Sequence, residues 1–264
     1  EREKREREKE RMSGKSGVEL NSEQYYKRLG RLVQAWKEDR NGGESLWKGA
    51  DAVTIISGKH SEELMYKKSS TLTMWIWGVE VPNVIFVLTE SKVFIVTTAV
   101  KVKLFSDLVV PADASSWNVP VPEVEYVTFT KDKGEENFAP LVEAIKGSFD
   151  GKKLGVLQKE SEKEGGLAAT LWKKVLADQL ADLVRVSAVT GLGALFAVKE
   201  RQDLGKVKTA ASITTQLYKK FLLPDVETAI DEEKKVTHST LAEKAEDIIF
   251  TPEKINHKLS SADV

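Results

Sequence analysis

The feature that most restricts the fold is a regular alternation of short β-rich runs with helical segments, which stops near Val198. Such runs of apolar and β-branched residues predict buried strands at 52–57, 84–89, 92–97, 124–130 and 154–157, with a weaker candidate at 183–186. Strands that alternate with helices predict an α/β layer structure with a partly parallel sheet. The chain is therefore expected to fold around one sheet as far as this point.

Helical periodicity fills the spaces between these runs. The first helix is predicted to start at an Asn21 or Ser22 cap and to end at the Asn41-Gly42-Gly43 breaker, with Leu29 and Trp36 on one face. Further helices are predicted at about 69–77, 99–107, 137–146 and 167–179. The proline-rich stretch 111–122 predicts a surface loop.

After Val198 the pattern predicts helices alone. One amphipathic face is expected to stop at Pro224, and Thr240 with Glu243 resembles a capping box that opens another helix. We therefore divide the chain into a charged, disordered tail at 1–19, an α/β lobe at 20–190 and the start of a truncated second lobe at 191–264. Because Met12 precedes a small polar segment, we hypothesise that the residues before it are not native to the folded unit.

Composition narrows the class of protein further. The 264 residues are 41% apolar, enough for a full core, and 40 Lys and Arg balance 41 Asp and Glu to a net charge of −1. Because the net charge is close to zero, we expect no overall electrostatic attraction of the chain to DNA or to an anionic membrane. The absence of cysteine, of glycosylation sequons and of an apolar stretch of ~20 residues predicts a soluble protein of a reducing compartment.

The residue types that carry most enzyme chemistry are scarce. His60, His238 and His257 are isolated from one another, so no pair has the spacing of metal ligands, and without cysteine there is no thiol nucleophile. Gly191-Leu192-Gly193 has only two glycines of a dinucleotide fingerprint and is interpreted as backbone packing. We therefore predict no catalytic, cofactor-binding or metal-binding residue and no cofactor.

The lysine pairs and tryptophans have ordinary structural interpretations. The pairs, such as Lys152-Lys153 and Lys219-Lys220, are spread along the chain and offset by acids, which is typical of solvated faces. Trp75 is only two positions from Trp77, so in a helix one can face the core while the other is free to meet a neighbouring lobe or a ligand, and core or interdomain packing is the commoner case.

Several local stretches resemble the large subunit of the FACT histone chaperone. They read YYKRL at 25–29, WIWGVE at 75–80, AVKE at 197–200, KTAASIT at 208–214 and KVTHSTLAE at 235–243. Part of this pattern is also similar to creatinases, prolidases and related aminopeptidases, whereas the stretch around His238 favours FACT. The resemblance covers about 20–249.

This resemblance implies a creatinase/prolidase-type N-terminal lobe, with a mixed sheet flanked by helices, followed by the first helices of a pita-bread lobe. It implies no enzyme activity, because the peptidases take their metal ligands from the later region. The family reorganises nucleosomes in transcription, replication and DNA repair, which implies a nuclear, chromosome-associated protein. Implied partners are histones and, through regions outside this chain, the smaller FACT subunit. Replication and transcription proteins are further candidates, without sequence-specific DNA binding and without a membrane.

Two alternatives remain open from the sequence. The chain could be the N-terminal half of a metal-dependent X-Pro aminopeptidase or prolidase whose catalytic lobe lies outside it. Sequence beyond Val264 would separate this alternative from FACT, since an enzyme needs five metal-ligating positions there. A direct DNA-binding module is disfavoured by the charge balance and would require steep salt dependence.

Overall fold

A computed structural model describes residues 20–40, 45–58 and 67–255. The predicted tail at 1–19, His60 and His257 lie outside these residues. The chain forms two compact units, Glu1–Ala197 and Val198–Val264, and each is described separately below.

The first unit is built on a six-stranded mixed sheet with the strand order β4-β3-β2-β1-β5-β6. Strand β2 is antiparallel to both β1 and β3, and the pairs β1/β5, β3/β4 and β5/β6 are parallel. The strands are β1 Ala52–Ser57, β2 Val84–Leu88, β3 Lys92–Thr97, β4 Glu123–Thr128, β5 Lys153–Val156 and β6 Val184–Ser187. All six predicted strands are present.

Burial distinguishes the middle of the sheet from its edges. Strands β1 and β2 are buried at every position, and their register places Ile55 opposite Phe86. The outer strands β4 and β6 are only half-buried, so the prediction of buried strands is wrong for these two. An edge strand has a partner on one side only, and its side chains are covered less completely.

Seven α-helices follow or precede these strands in the described part of the first unit: α1 Ser22–Asp39, α2 Lys68–Trp77, α3 Ala99–Phe105, α4 Ala139–Lys146, α5 Gln158–Lys163, α6 Leu167–Gln179 and α7 Val189–Ala197. Asn21 caps α1 by accepting a hydrogen bond from the backbone N–H of Gln24 at 2.9 Å. Short 3₁₀ turns lie at Ala114–Ser116 and Gly134–Phe138. Helices α5 and α7 were not predicted.

Alternating side chains of the sheet enter two apolar clusters, one on each face. Val53, Phe86 and Ile95 belong to the first cluster, in which α1, α2 and α7 pack on the sheet. Ile56 and Phe94 point the other way, into a second cluster that includes side chains of α4 and α6. The result is a three-layer α/β/α lobe, which confirms the predicted α/β class with a mixed sheet flanked by helices.

A buried carboxylate ties the amino ends of β1 and β5 to the end of α1. Asp51 accepts hydrogen bonds from the backbone N–H groups of Lys152 and Lys153, both at 2.8 Å, and from Arg40. Burial alone would raise the pKa of Asp51, but these hydrogen bonds and the Arg40 charge hold that pKa below its ordinary value.

All regular secondary structure in the described residues of the second unit is helical. Its elements are α8 Arg201–Leu217, a π-helical turn Tyr218–Leu222, α9 Leu223–Asp231, α10 His238–Ile249 and the short α11 Pro252–Ile255. A small apolar cluster is formed by Ile213, Leu217, Ile248 and Ile255.

Two predicted helix boundaries in this unit are wrong. Pro224 does not end a helix, because it falls in the first turn of α9, where the preceding π-helical turn makes its missing N–H harmless. Helix α10 is capped by Thr237, which accepts a hydrogen bond from the backbone N–H of Thr240 at 3.2 Å, so Thr240 lies inside the helix. In the described part of the chain, no helix is both long and apolar enough to cross a bilayer.

Candidate functional site

In this architecture a ligand-binding site is expected at the carboxyl ends of the parallel strands. In open α/β sheets ligands bind where neighbouring strands lead off in opposite directions. Here β1 is followed by β2 on one side, whereas its parallel neighbour β5 is followed by β6 on the other. The switch point therefore lies between β1 and β5, beyond Ser57 and Val156.

A carboxylate of the chain itself occupies this switch point. Glu164 accepts a hydrogen bond from the backbone N–H of Gly58 at 2.7 Å, and its other oxygen is 2.5 Å from the Lys67 ammonium. Both charged residues are buried, Lys67 with 8% and Glu164 with 3% of its surface exposed. A Cβ atom on Gly58 would lie 2.0 Å from the Glu164 carboxylate, so only glycine permits this approach.

A second carboxylate fills the nearby amino end of α2. Glu160 accepts hydrogen bonds from the backbone N–H groups of Lys68 at 2.9 Å and Ser69 at 3.0 Å, and from the Ser69 hydroxyl at 2.9 Å. The N-terminus of a helix attracts anions, and in many α/β proteins a ligand phosphate takes this place. Here Glu160 and Glu164 fill the anion positions, so the switch point is a structural junction of the lobe.

An open crevice lies beside this junction, at the carboxyl ends of β5 and β6. It encloses about 510 Å³, and its wall includes Lys159, Arg185, Ser187 and Val189. One nitrogen of Arg185 donates hydrogen bonds to the backbone carbonyl oxygens of Leu176 at 2.7 Å and of Leu180 at 3.0 Å. Burial lowers the pKa of Arg185 from its ordinary value.

A second hollow, of about 800 Å³, is lined by the proline-rich loop at 110–121. The loop is held against α1, since the carbonyl oxygen of Pro120 would lie 2.2 Å from a Cβ atom on Gly30. The Lys27 ammonium lies 4.9 Å from the ring centroid of Trp117, whose indole N–H donates to Asp113 at 3.3 Å. These contacts fix the loop to the lobe.

The residues considered from the sequence do not converge on a catalytic group. His238 is the exposed first residue of α10, and among residues 20–40, 45–58 and 67–255 no three His, Asp or Glu side chains could hold a metal ion together. Gly191 packs against the ring of Trp47. Trp77 is buried, while Trp75 lies 5.8 Å from Phe196, centroid to centroid. The absence of catalytic, cofactor and metal residues stays a prediction.

Sequence reasoning missed the charged residues of the switch point. Lys67, Glu160 and Glu164 stand in stretches rich in Lys and Glu, and such stretches ordinarily predict solvated surface. No local signal distinguishes these three side chains from their exposed neighbours, because the burial of Lys67 and Glu164 and the partial burial of Glu160 depend on how α2 and α5 meet β1.

These observations define a class: a three-layer α/β lobe on a mixed six-stranded sheet, whose ligand-binding switch point is closed by its own carboxylates. The family model described as the FACT complex subunit SPT16 N-terminal lobe domain matches residues 20–189. The chain belongs to this family.

Individual relatives agree with this assignment. The chain is 32% identical to FACT complex subunit SPT16 of Dictyostelium discoideum over 94% of its own length, and 33% identical to that of Zea mays over 95%. It spans only 22% and 23% of these two relatives. The solved N-terminal domain of SPT16 from chickpea is similar with a TM-score of 0.76 and 26% identity, covering 92% of this chain and 54% of that one.

Proposed function

We propose that this chain is a non-catalytic N-terminal domain of a FACT large subunit and serves a histone chaperone that reorganises nucleosomes. The observation that carries the proposal is the family match over 20–189. The lobe itself adds support, because Glu160 and Glu164 fill the positions at its switch point where a ligand anion would otherwise bind.

Its partners and location follow from the same assignment. The domain binds histones, and the smaller FACT subunit joins the protein through regions outside these residues. The protein works in the nucleus on chromosomes, where replication and transcription proteins are further candidate partners. The near-neutral charge of the chain favours a protein partner over sequence-specific DNA.

The test is binding of the 264-residue chain to purified core histones and, separately, to naked duplex DNA. Both titrations use about 0.15 M salt, where exposed charges more than ~8 Å apart are screened from one another. We expect saturable binding to histones and none to DNA. Binding to DNA with steep salt dependence would contradict the proposal, and binding to neither would limit the domain to docking other proteins.

The alternative, an X-Pro aminopeptidase or prolidase, has its own test. The two curated relatives of the chain described above are FACT complex subunits. We therefore expect the complete natural protein, supplied with divalent metal, to release no amino acid from an X-Pro dipeptide. Metal-dependent release of the N-terminal residue would restore the enzyme hypothesis.

We further propose that the second unit, residues 198–264 of the predicted stretch 191–264, begins a second lobe of the pita-bread type that more of the chain completes. Residues 191–197 belong to α7, which packs on the sheet of the first unit. Seven large apolar side chains in the described part of the second unit are exposed: Val198, Leu204, Val207, Tyr218, Ile230, Val236 and Phe250. The similar chickpea domain is nearly twice as long as the matched region. A protease should cut the 264-residue chain between Lys199 and Lys208 and spare this stretch in the complete protein; equal cutting would contradict the proposal.

A further inference from the structure

The segment that closes the switch point, between β5 and α6, has no apolar side chain of its own to hold it there. Residues 158–164, which we call the lid segment, read QKESEKE and follow directly after the buried Leu157. Helix α5 lies within the segment and has no buried residue. Because apolar burial supplies much of the stability of a fold, the lid segment is held less firmly than the buried strands beside it.

Charged groups attach the lid segment to the lobe instead. Glu160 binds the amino end of α2, and Glu164 binds the Gly58 N–H and the Lys67 ammonium. The Lys173 ammonium of α6 donates to the backbone carbonyl oxygen of Glu164 at 2.9 Å. Water can satisfy each of these groups when the segment moves away. Separation hydrates Lys67 and Glu164 together, and the cost of removing two such charges from water offsets most of their attraction.

Two glycines at the carboxyl end of the lid segment provide a hinge. Gly165 and Gly166 follow Glu164 directly, and Gly166 has a φ of +106°, a conformation that glycine adopts readily. Nothing lies within 4 Å of a Cβ atom on Gly165, so the backbone has space around it. Hinges are a few residues that absorb large changes of φ and ψ, and this pair meets that requirement.

The lid segment also separates two spaces on the lobe. Gln158, Lys159 and Glu160 line the 510 Å³ crevice together with Ser187 and Val189. The carboxylates of Glu160 and Glu164 fill the switch point itself. Movement of the segment away from the lobe would therefore join the crevice to the switch point, where open α/β sheets bind their ligands.

We propose that the lid segment opens as one unit while the rest of the lobe stays folded, and thereby controls access to the switch point. In this structure the lid segment is closed, and its two carboxylates occupy the anion positions. In the open state the crevice and the switch point form one cavity, lined by Lys67 and the amino end of α2. This inference concerns the lobe alone and does not depend on the proposed histone chaperone role.

Amide hydrogen exchange, followed by NMR on the 264-residue chain, detects this opening. The N–H groups of Gly58, Lys68 and Ser69 donate to carboxylates of the lid segment, because the first turn of a helix has no intrahelical acceptor. We expect these three groups to share one opening constant, at least about tenfold larger than that of the amides of β2. Exchange as slow as that of β2, or three unrelated opening constants, would overturn the proposal.

A substitution at one carboxylate, measured at the other, tests whether the segment moves as a unit. Glu160→Ala removes the acceptor of Lys68 and Ser69 and leaves the bond from Gly58 to Glu164 in place. We expect the Gly58 N–H to exchange about tenfold faster, because hydrogen bonds to a charged group no longer hold the segment closed. An unchanged Gly58 rate would show two independent contacts and would overturn the proposal.

Glu162→Ala is the matched control, since it makes the same change in the same helix. Glu162 is exposed and accepts a hydrogen bond from Gln158 at 3.3 Å, within the lid segment itself. We expect this variant to change the exchange of Gly58 less than about twofold. An equal increase in the Glu160 and Glu162 variants would overturn the role of Glu160. A parallel increase at the amides of β2 would mean that the whole lobe unfolds, and would overturn the separate opening.

Discussion

The two units of the chain bury their apolar side chains to different extents. The α/β lobe buries large side chains completely on both faces of its sheet, including Trp36, Phe86 and Trp172. The helical unit forms helices over most of its described residues, yet it encloses only a small cluster around Leu217 and Ile248 and leaves Phe250 72% exposed.

The difference shows that a segment can form regular secondary structure without enclosing a complete apolar core. Helix formation needs only local hydrogen bonds and caps, such as Thr237 in α10. A core needs a second apolar surface, which the sheet provides for the lobe and which the described helices of the second unit lack. Two of the predictions below use matched substitutions in the two units, and the other two concern charged residues buried in the lobe.

The largest expected effect comes from removing the same side chain from each unit. Phe86→Ala, at a position 1% exposed on the central strand β2, should cost the lobe about 3–5 kcal/mol. Phe250→Ala should change stability by less than about 0.5 kcal/mol. Urea unfolding followed by tryptophan fluorescence measures the lobe, because all six tryptophans precede residue 198. A large cost for Phe250→Ala, seen by circular dichroism, would show that this face is covered in solution.

The buried ion pair gives the next effect. Lys67→Met should destabilise the lobe by about 3 kcal/mol, because the charge of Glu164 is then buried without its partner. The double variant Lys67→Met/Glu164→Gln should recover most of this loss, since glutamine still accepts from the Gly58 N–H. Fluorescence-monitored urea unfolding measures both. Little change in the single variant would mean that the switch point is open to water.

Matched glycine substitutions should have opposite signs in the two units. A Cβ atom on Gly191 would lie 2.3 Å from the Trp47 ring, so Gly191→Ala should cost the lobe about 1–3 kcal/mol. Nothing lies within 4 Å of a Cβ on Gly205 in α8, and Gly205→Ala should stabilise that helix by about 0.5–1 kcal/mol. Amide hydrogen exchange resolves the two units. The same sign in both would contradict the comparison.

Lowering the pH should test how much the buried Asp51 carboxylate contributes to the stability of the lobe. The folded-state pKa of Asp51 lies below its unfolded value, so its contribution is present above the unfolded pKa of about 3.9 and is lost as the pH falls through the folded pKa. The fluorescence-detected stability of the lobe should therefore fall below about pH 4. Asp51→Asn should flatten this dependence and lower stability at pH 7. An unchanged acid profile in Asp51→Asn would assign the effect to other carboxylates.

The sequence predicted elements well where one local signal decides them. The apolar run at 52–57 and the Asn21 cap both correspond to observed boundaries, because a buried strand and a capped helix each depend on a few adjacent residues. Helix α5 was missed because it has no buried residue and so no apolar periodicity. The error at Pro224 has a similar origin, since a π-helical turn leaves no pattern in the sequence.

The candidate site was harder to predict than the fold. The residues that close the switch point, Lys67 and Glu164, are 97 positions apart and have the composition of solvated surface. The position of β6 at an edge of the sheet was equally hard to predict, because it depends on how all the other strands pair.

By itself the sequence determined an α/β lobe followed by helices, a nearly neutral chain, and the scarcity of residues for metal or thiol chemistry. These properties depend on composition and on periods of two to four residues. The tertiary structure alone decided the strand order, the burial of Glu164 against Gly58, and the exposure of β6 and of Phe250. Each of these depends on which segments distant in the sequence pack together. The free energy of that packing comes from surfaces contributed by both segments, so no single local stretch can predict it.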